Sequence, residues 1–266
     1  MTPPRAGPGP STPTVATTSA SSVPVTFAGA PSTIPGRGSL RFVNLFAFEG
    51  PPPAVDVYRG FNDASGRPVV GGLGFGRASD YLSMPEGRQS FTVYRQGSTT
   101  DDGRIGYLTP NVPAKAVVTV LVQSNNQTPN PTFFELGSDP DGGGTGSPPP
   151  PGKALIWSSA TAVQRLFSQS SVSFRYGIPG VGCLSDTLGS VVSDPLVSIY
   201  PVAFAVEPGP RPVAAYSAGD RQCSAPPVAG PVPVNLVAGS TYLVFLYGTG
   251  IQVHDLKLLV LPTRRS

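Results

Sequence analysis

Short apolar and alternating runs of residues recur along most of the chain and predict β-strands rather than helices. Four runs in the first half have this character: 40–48, 54–58, 89–95 and 115–123. They are rich in β-branched and aromatic side chains and do not repeat with the 3.6-residue period of a helix. Clusters of Gly, Pro, Asn and Asp separate them, as expected for an antiparallel β-sandwich or barrel.

The second half repeats the same texture after a Gly- and Pro-rich interruption. Six further strands are predicted there: 154–158, 171–176, 196–204, 232–236, 241–247 and 256–261. One or two helical turns are expected at 161–168. The fold class predicted from these patterns is all-β, with two tandem antiparallel β-sandwich domains. The two blocks look like divergent copies, since each has an apolar opening strand followed by an alternating strand with an aromatic residue near its end.

Composition divides the chain into four segments. Residues 1–38 are rich in Pro, Ser, Thr and Ala, and such a segment buries too little apolar area to order itself, so a disordered tail is predicted. The first sandwich is expected at 39–136 and the second at 154–262. Residues 137–153 combine a glycine run with four consecutive prolines and are predicted to be the linker between them.

Charge and hydropathy exclude two classes of partner. Only 12% of residues are charged, the net charge is +3, and no basic run is longer than Arg264–Arg265, which argues against nucleic-acid binding. No apolar stretch approaches the length of a transmembrane helix.

The first residues also lack the apolar core of a signal peptide. We therefore expect a signal that has been removed, the alternative being an intracellular protein.

Two cysteines, Cys183 and Cys223, lie in loop-like surroundings of the second half. An even count in this setting favours a disulfide, which would indicate an oxidising compartment. Two unrelated buried thiols are the alternative. A zinc site is not expected, because there is no Cys-x-x-Cys pair and the single His254 is distant in sequence.

The first block resembles a bacterial family of unknown function numbered 4397, whose members are extracellular or envelope-associated. Four motifs carry the resemblance: Arg41-Phe-Val-Asn44, Pro53-Ala-Val-Asp-Val-Tyr58, the segment 74–87 beginning Gly-Phe-Gly-Arg, and Phe91-Thr-Val-Tyr-Arg95. In the second block only residues 236–245 are similar to it. The resemblance implies an immunoglobulin-like or prealbumin-like surface module and supplies no catalytic residues. We expect Asp56 to face solvent or cap a turn, Gly74 and Gly76 to serve a bulge or bend, and Tyr81 and Leu82 to be core.

The candidate motifs for catalysis or cofactor binding each lack residues that their chemistry requires. Gly72-Leu-Gly-Phe-Gly76 lacks the third glycine and the helix that a dinucleotide site needs. The segment 146–153 has the wrong glycine spacing and too many prolines for a phosphate loop. His254 and Asp255 are adjacent and would point to opposite faces of a strand, so they cannot act as a catalytic pair there. No cofactor, metal or enzymatic activity is predicted, although a looser cation site near Asp139 and Asp141 and an uncharacterised hydrolase stay open as alternatives.

The leading functional prediction is a non-catalytic exported or cell-envelope protein with a structural, display or binding role. The alternative is a carbohydrate- or matrix-binding module, with cell-wall polysaccharide or another envelope protein as partner. Sugar binding by stacking needs exposed rings. The candidate rings are Tyr58, Tyr94, Tyr107, Trp157, Tyr176 and Tyr216.

Overall fold

A computed structural model of the chain describes residues 34–46, 51–61, 64–124, 131–132, 135–138, 149–160, 172–179, 182–183, 189–191, 202–217, 219–248 and 256–263. These residues are β-structure joined by turns, with one 3-10 turn at Asp101–Gly103, which confirms the all-β prediction. The tail over 1–33, the linker residues 139–148 and the helical turns predicted at 161–168 lie outside the described residues.

Twelve strands are described in the first half of the chain. They are β1 (Arg37–Asn44), β2 (Val55–Arg59), β3 (Val70–Leu73), β4 (Arg77–Ala78), β5 (Leu82–Pro85), β6 (Gly87–Arg88), β7 (Phe91–Arg95), β8 (Arg104–Leu108), β9 (Asn111–Val112), β10 (Val117–Ser124), β11 (Pro131–Thr132) and β12 (Glu135–Ser138).

Nine strands are described in the second half. They are β13 (Ala154–Ala160), β14 (Val172–Ile178), β15 (Gly182–Cys183), β16 (Gly189–Val191), β17 (Val202–Val206), β18 (Gly209–Ser217), β19 (Ala229–Leu236), β20 (Thr241–Tyr247) and β21 (Lys257–Thr263).

The N-terminal sandwich has two main sheets facing each other across an apolar core, and a separate two-stranded sheet formed by β6 and β9. Its outer sheet has the strand order β3-β2-β7-β8. Its inner sheet has β1 and β10 at the centre, with β4 and β5 beside β1, and β11 and β12 beside β10. Leu40, Phe42, Val57, Phe91 and Val120 fill the space between the sheets. Their alternation along each strand follows the two-residue period of β-structure.

The C-terminal sandwich repeats this arrangement. Its inner sheet has the order β17-β13-β20-β21, and its outer sheet the order β15-β14-β18-β19, with β16 also paired to β14. Ile156, Tyr176, Val213 and Val244 belong to the core between them. In each half one parallel strand pair, β1 with β10 and β13 with β20, lies at the centre of the inner sheet. In the outer sheets β2 pairs with β7 and β14 pairs with β18.

One strand pair in each sandwich departs from the antiparallel prediction. β1 runs parallel to β10, with Leu40 opposite Val118, and β13 runs parallel to β20, with Leu155 opposite Thr241. The other described pairs are antiparallel. Hydrophobic patterning marks where strands lie, but the direction of pairing between strands distant in sequence depends on how the chain crosses between the sheets.

The two sandwiches pack inner sheet against inner sheet. Val43, Leu45 and Leu121 of the first sandwich form one apolar cluster with Leu243 and Phe245 of the second. Both faces of each inner sheet are therefore covered by protein. This explains why β10 and β20 carry near-continuous apolar runs instead of clean alternation.

Candidate functional site

Asn44 of the Arg41–Asn44 motif holds loops of its own sandwich together. Its side-chain amide donates to the carbonyls of Pro53 and Leu73, at 3.0 and 2.9 Å, and its carbonyl oxygen accepts from the Phe46 amide at 3.0 Å. The residue is completely buried. A buried amide must have such partners to offset the loss of water, so Asn44 has a structural role.

Asp56 joins two turns at the edge of the outer sheet. One carboxylate oxygen accepts from the Gly72 amide at 2.7 Å, and the other accepts from the Gly97 amide at 2.8 Å. The carboxylate is therefore used to fix backbone amides in place. Of the two expectations for this residue, turn capping is the one that the structure bears out.

Arg41 points away from the core of its own sandwich and into the contact between the two inner sheets. Its Nε donates to the Thr119 hydroxyl at 3.0 Å, and one terminal nitrogen donates to the carbonyl of Pro262 in the C-terminal sandwich at 3.2 Å. The guanidinium lies 4.7 Å from the centre of the Tyr81 ring. Burial lowers the pKa of Arg41, and its interaction with Tyr81 partly opposes this.

Gly76 and Phe75 meet the end of β20 in the other sandwich. Gly76 has a φ of +70°, which side chains rarely adopt, so the predicted bend is present. A Cβ atom at this position would also overlap the ring and hydroxyl of Tyr247. The Phe75 ring packs edge to face on Tyr247, with 5.3 Å between ring centroids. Glycine is thus needed for both the backbone conformation and the close approach.

Four of the six predicted ligand-stacking rings are buried: Tyr58, Tyr94, Tyr176 and Tyr216. Tyr58 and Tyr94 pack edge to face with each other at 5.7 Å, and Tyr176 belongs to the C-terminal core. Burial raises the pKa of the Tyr176 hydroxyl. These four rings have no face open to a ligand, so burial removes them as candidates.

Trp157 is also unsuited to surface stacking. It is partly buried and packs against the apolar cluster between the two inner sheets. Its place on β13, opposite Leu243 of β20, turns the ring toward the N-terminal sandwich. The indole contributes to contact between domains.

Tyr107 is the remaining predicted ring, and it belongs to a surface patch on the outer sheet that sequence reasoning identified only in part. Phe61, with 55% of its surface exposed, contacts Tyr107 with 5.6 Å between ring centroids. The Arg104 guanidinium lies over the Tyr107 ring, 5.1 Å from the ring centre, and it pairs with Asp101 at 2.6 Å. We call Phe61, Tyr107, Arg104 and Asp101 the aromatic patch.

The sequence around Phe61 contains a signal for exposure. Phe61 follows the alternating strand β2 and Gly60, and it directly precedes Asn62 and Asp63, two residue types that favour turns. A large apolar side chain beside turn formers is more exposed than one inside a strand. The contact between Phe61 and Tyr107, 46 positions apart by numbering, follows from the pairing of β2 with β7 and of β7 with β8.

The glycine-rich segment 71–74 lines an open groove of about 500 Å³ between β3 and β4. Its continuation, Phe75 and Gly76, leads into strand β4 rather than a helix, as the sequence predicted in rejecting a dinucleotide site. The Gly72 amide is taken by Asp56. The glycines therefore serve a bend at the sandwich edge.

Cys183 and Cys223 are joined by a disulfide, with 5.1 Å between their Cα atoms. The bridge packs with Tyr216 on the exposed side of the C-terminal outer sheet. Asp220 orders the same loop by accepting from the Ala225 amide at 2.8 Å, and this hydrogen bond, with those from neighbouring amides, lowers the pKa of Asp220. The loop's carboxylate is engaged by its own backbone.

Within the described residues, no group of three or more His, Cys, Asp or Glu side chains could hold a metal ion. His254, Asp255, Asp139 and Asp141 lie outside the described residues. No described helix is long and apolar enough to cross a membrane.

Residues 38–146 match a family model described as a domain of unknown function, DUF4397, which confirms the resemblance of the first sandwich. No curated protein matches the chain. Solved structures that are similar to it at low identity include three from Bacteroides species. They are a "putative cell adhesion protein" from Bacteroides uniformis (10% identity, 87% of this chain and 100% of that chain, TM-score 0.23), a leucine-rich repeat protein from Bacteroides thetaiotaomicron (12%, 84% and 27%, 0.21) and a "putative cell adhesion protein" from Bacteroides ovatus (10%, 89% and 97%, 0.19). TM-scores of this size do not establish a common fold.

Proposed function

We propose that this chain, whose residues 38–146 match the DUF4397 family, is a non-catalytic extracellular or cell-envelope protein that binds a surface partner. The aromatic patch is the observation that carries the proposal. It combines an exposed Phe61 with Tyr107 and an arginine on the outer sheet. Aromatic and arginine side chains are the types most enriched at the centres of binding surfaces.

The hydrogen-bond partners of the polar motif residues support a non-catalytic role. Asn44 and Asp56 are occupied by backbone groups of their own sandwich. Arg41 is occupied by one group from each inner sheet, the Thr119 hydroxyl and the Pro262 carbonyl. A catalytic acid, base or nucleophile must instead present its reactive atom to a substrate. We propose that these residues stabilise the fold.

This part is tested with chromogenic esters and glycosides. The intact protein should give no turnover above buffer, because the polar side chains Asn44 and Asp56 are occupied by backbone groups of their own sandwich. Hydrolysis that disappears in His254→Ala would contradict the proposal and revive the hydrolase.

The disulfide supports an extracellular or envelope location. Structural disulfides persist in oxidising compartments and are rare in the cytosol. Protein isolated from its native host under thiol-blocking conditions should contain no alkylated cysteine until it is reduced. Alkylation of Cys183 and Cys223 without reduction would argue for an intracellular protein.

The chemistry of the aromatic patch favours carbohydrate as the partner. Sugar rings present C–H faces that pack on aromatic rings, and hydroxyl groups that accept from arginine and donate to carboxylate. Because Arg104 is paired with Asp101 at 2.6 Å, the patch offers both kinds of group without the net charge that would select an acidic polymer. We therefore propose a neutral polysaccharide.

Affinity electrophoresis through gels containing neutral polysaccharides tests this candidate. Phe61→Ala should weaken retention by about tenfold, the equivalent of roughly 1.4 kcal/mol for one lost ring contact. The matched control is Val237→Ala, which truncates a side chain that is 43% exposed on the C-terminal sandwich. Equal retention of wild type and Phe61→Ala would remove the patch as the sugar site. Failure of the wild type to bind any polysaccharide, with Phe61-dependent binding to an envelope protein fraction, would replace carbohydrate by protein as the partner.

A further inference from the structure

We infer that the outward side of the N-terminal inner sheet is a docking surface specialised for a second β-sandwich, and that in this chain the C-terminal sandwich occupies it. We call this surface the docking face. It consists of Arg41, Val43, Leu45, Gly76 and Leu121. Two of the four family motifs contribute to it, so the inference gives those motif residues a role beyond the proposed binding function.

The apolar part of the docking face is complementary to one strand of the partner. Val43, Leu45 and Leu121 are at most 1% exposed, and Leu243 and Phe245 of β20 are 5% and 1% exposed. All five lie in a cluster distinct from the cores of the two sandwiches. A single sandwich with this face uncovered would present a contiguous aliphatic surface to water, which soluble domains seldom tolerate outside an interface.

Arg41 makes the docking face selective. Its guanidinium is 2% exposed, and one of its terminal nitrogens reaches the Pro262 carbonyl on the last strand of the partner. A buried cation is costly unless it is hydrogen-bonded. A partner in another register, or one without an accepting carbonyl there, would leave this donor unpaired. Selection against wrong partners by such an unpaired donor is a known route to specificity.

Gly76 makes the docking face fit an aromatic side chain. The space that a Cβ would fill is occupied by the Tyr247 ring and hydroxyl at the end of β20. The Phe75 ring then packs against the edge of the same tyrosine. The kind of partner is thereby specified: a sandwich whose central strand is aliphatic and ends in an aromatic residue, and whose last strand offers a carbonyl to Arg41.

A protease site inserted between Gly143 and Gly144 of the full-length chain tests docking directly. After cleavage of the folded protein, the two fragments should co-elute as an equimolar complex in size-exclusion chromatography, with a Kd below about 1 μM for an interface of this apolar character. Separate elution, or loss of either fragment from solution, would overturn the inference.

A glycine pair separates the docking contact from simple backbone strain. Gly76 and Gly97 have φ of +70° and +77°, but no heavy atom would lie within 4 Å of a Cβ at Gly97. Gly76→Ala should weaken association of the cleaved fragments at least tenfold, whereas Gly97→Ala should leave it unchanged. Tyr247→Ala should weaken association less in the Gly76→Ala background than alone. Equal effects of the two glycine substitutions, with each fragment folded by circular dichroism, would contradict a docking role for Gly76.

Discussion

Two arginines of the N-terminal sandwich lie over tyrosine rings in opposite surroundings. Arg41 is buried between the inner sheets, 4.7 Å from the centre of the Tyr81 ring. Arg104 is on the outer sheet, 5.1 Å from the centre of Tyr107, and is paired with the exposed Asp101. The ring geometry is nearly the same, but water reaches one guanidinium and not the other.

This difference in exposure to water gives the two arginines different roles: Arg41 stabilises the fold, and Arg104 is available to a ligand. Because the surroundings of Arg41 are dry, its hydrogen bonds to Thr119 and Pro262 cannot be replaced by water. The ion pair of Arg104 is screened by solvent and contributes little to folding. The face formed by the inner sheet is therefore occupied by the second domain, whereas the face formed by the outer sheet can exchange water for a ligand.

The largest effect is expected from truncating the buried arginine. Arg41→Ala removes the packed aliphatic stem as well as the donors to Thr119 and Pro262, and should lower the free energy of unfolding by about 3 kcal/mol. Urea denaturation followed by tryptophan fluorescence measures this through Trp157, which lies at the same contact. A loss below about 1 kcal/mol would mean that Arg41 is not integral to the contact.

The next effect is expected at Asp56. Asp56→Ala leaves the amides of Gly72 and Gly97 without their acceptor, and hydrogen bonds to a charged group contribute about 1.5–3 kcal/mol. A loss of about 2 kcal/mol is predicted, with no change in polysaccharide retention at a temperature where the variant is folded. Binding that fails in the folded variant would place Asp56 in the ligand site instead.

Much of the fold follows from local pattern, and the exceptions have identifiable causes. The apolar runs at 40–48 and 115–123 mark the central strands β1 and β10, and the run at 241–247 coincides with β20. Strands β3 and β18 were not predicted, because the first contains Gly71 and Gly72 and the second contains two prolines, residue types that are depleted in strands. The start of the strand predicted at 196–204 lies outside the described residues, and the structure places β17 from Val202.

The site was less predictable than the fold, since it depends on contacts between distant residues. Nothing local distinguishes Tyr107 from Tyr94, although one is at the surface and the other is buried under its neighbours. Arg41 reads locally as a polar residue on a half-exposed strand. The near-continuous apolar character of β10 and β20 nevertheless indicates that both faces of their sheets are covered, and this pattern predicts a docking face.

The stability of the protein at alkaline pH should report on the buried Tyr81 hydroxyl beside Arg41. Burial raises the pKa of Tyr81, with the Arg41 charge opposing it. The stability contributed by the neutral hydroxyl is complete below the unfolded pKa of about 10 and is lost as pH rises through the folded pKa, by at most about 1.4 kcal/mol per pH unit. Tyr81→Phe should make the decline above pH 10 shallower in urea titrations. An unchanged slope would contradict the burial of this hydroxyl.

The smallest effect on folding is expected at the aromatic patch. Arg104→Ala breaks an ion pair whose acid is 82% exposed and should cost less than about 1 kcal/mol. Polysaccharide retention should fall nonetheless, because the guanidinium would have faced the ligand. A loss of stability as large as that of Arg41→Ala would erase the distinction between the two arginines.

Differential scanning calorimetry of the full chain at neutral pH tests the central claim most directly, namely that the docking face makes two sandwiches into one unit. The predicted result is a single transition whose calorimetric and van't Hoff enthalpies agree. Two resolved transitions in the unaltered chain would show that the sandwiches unfold independently, and would contradict the account.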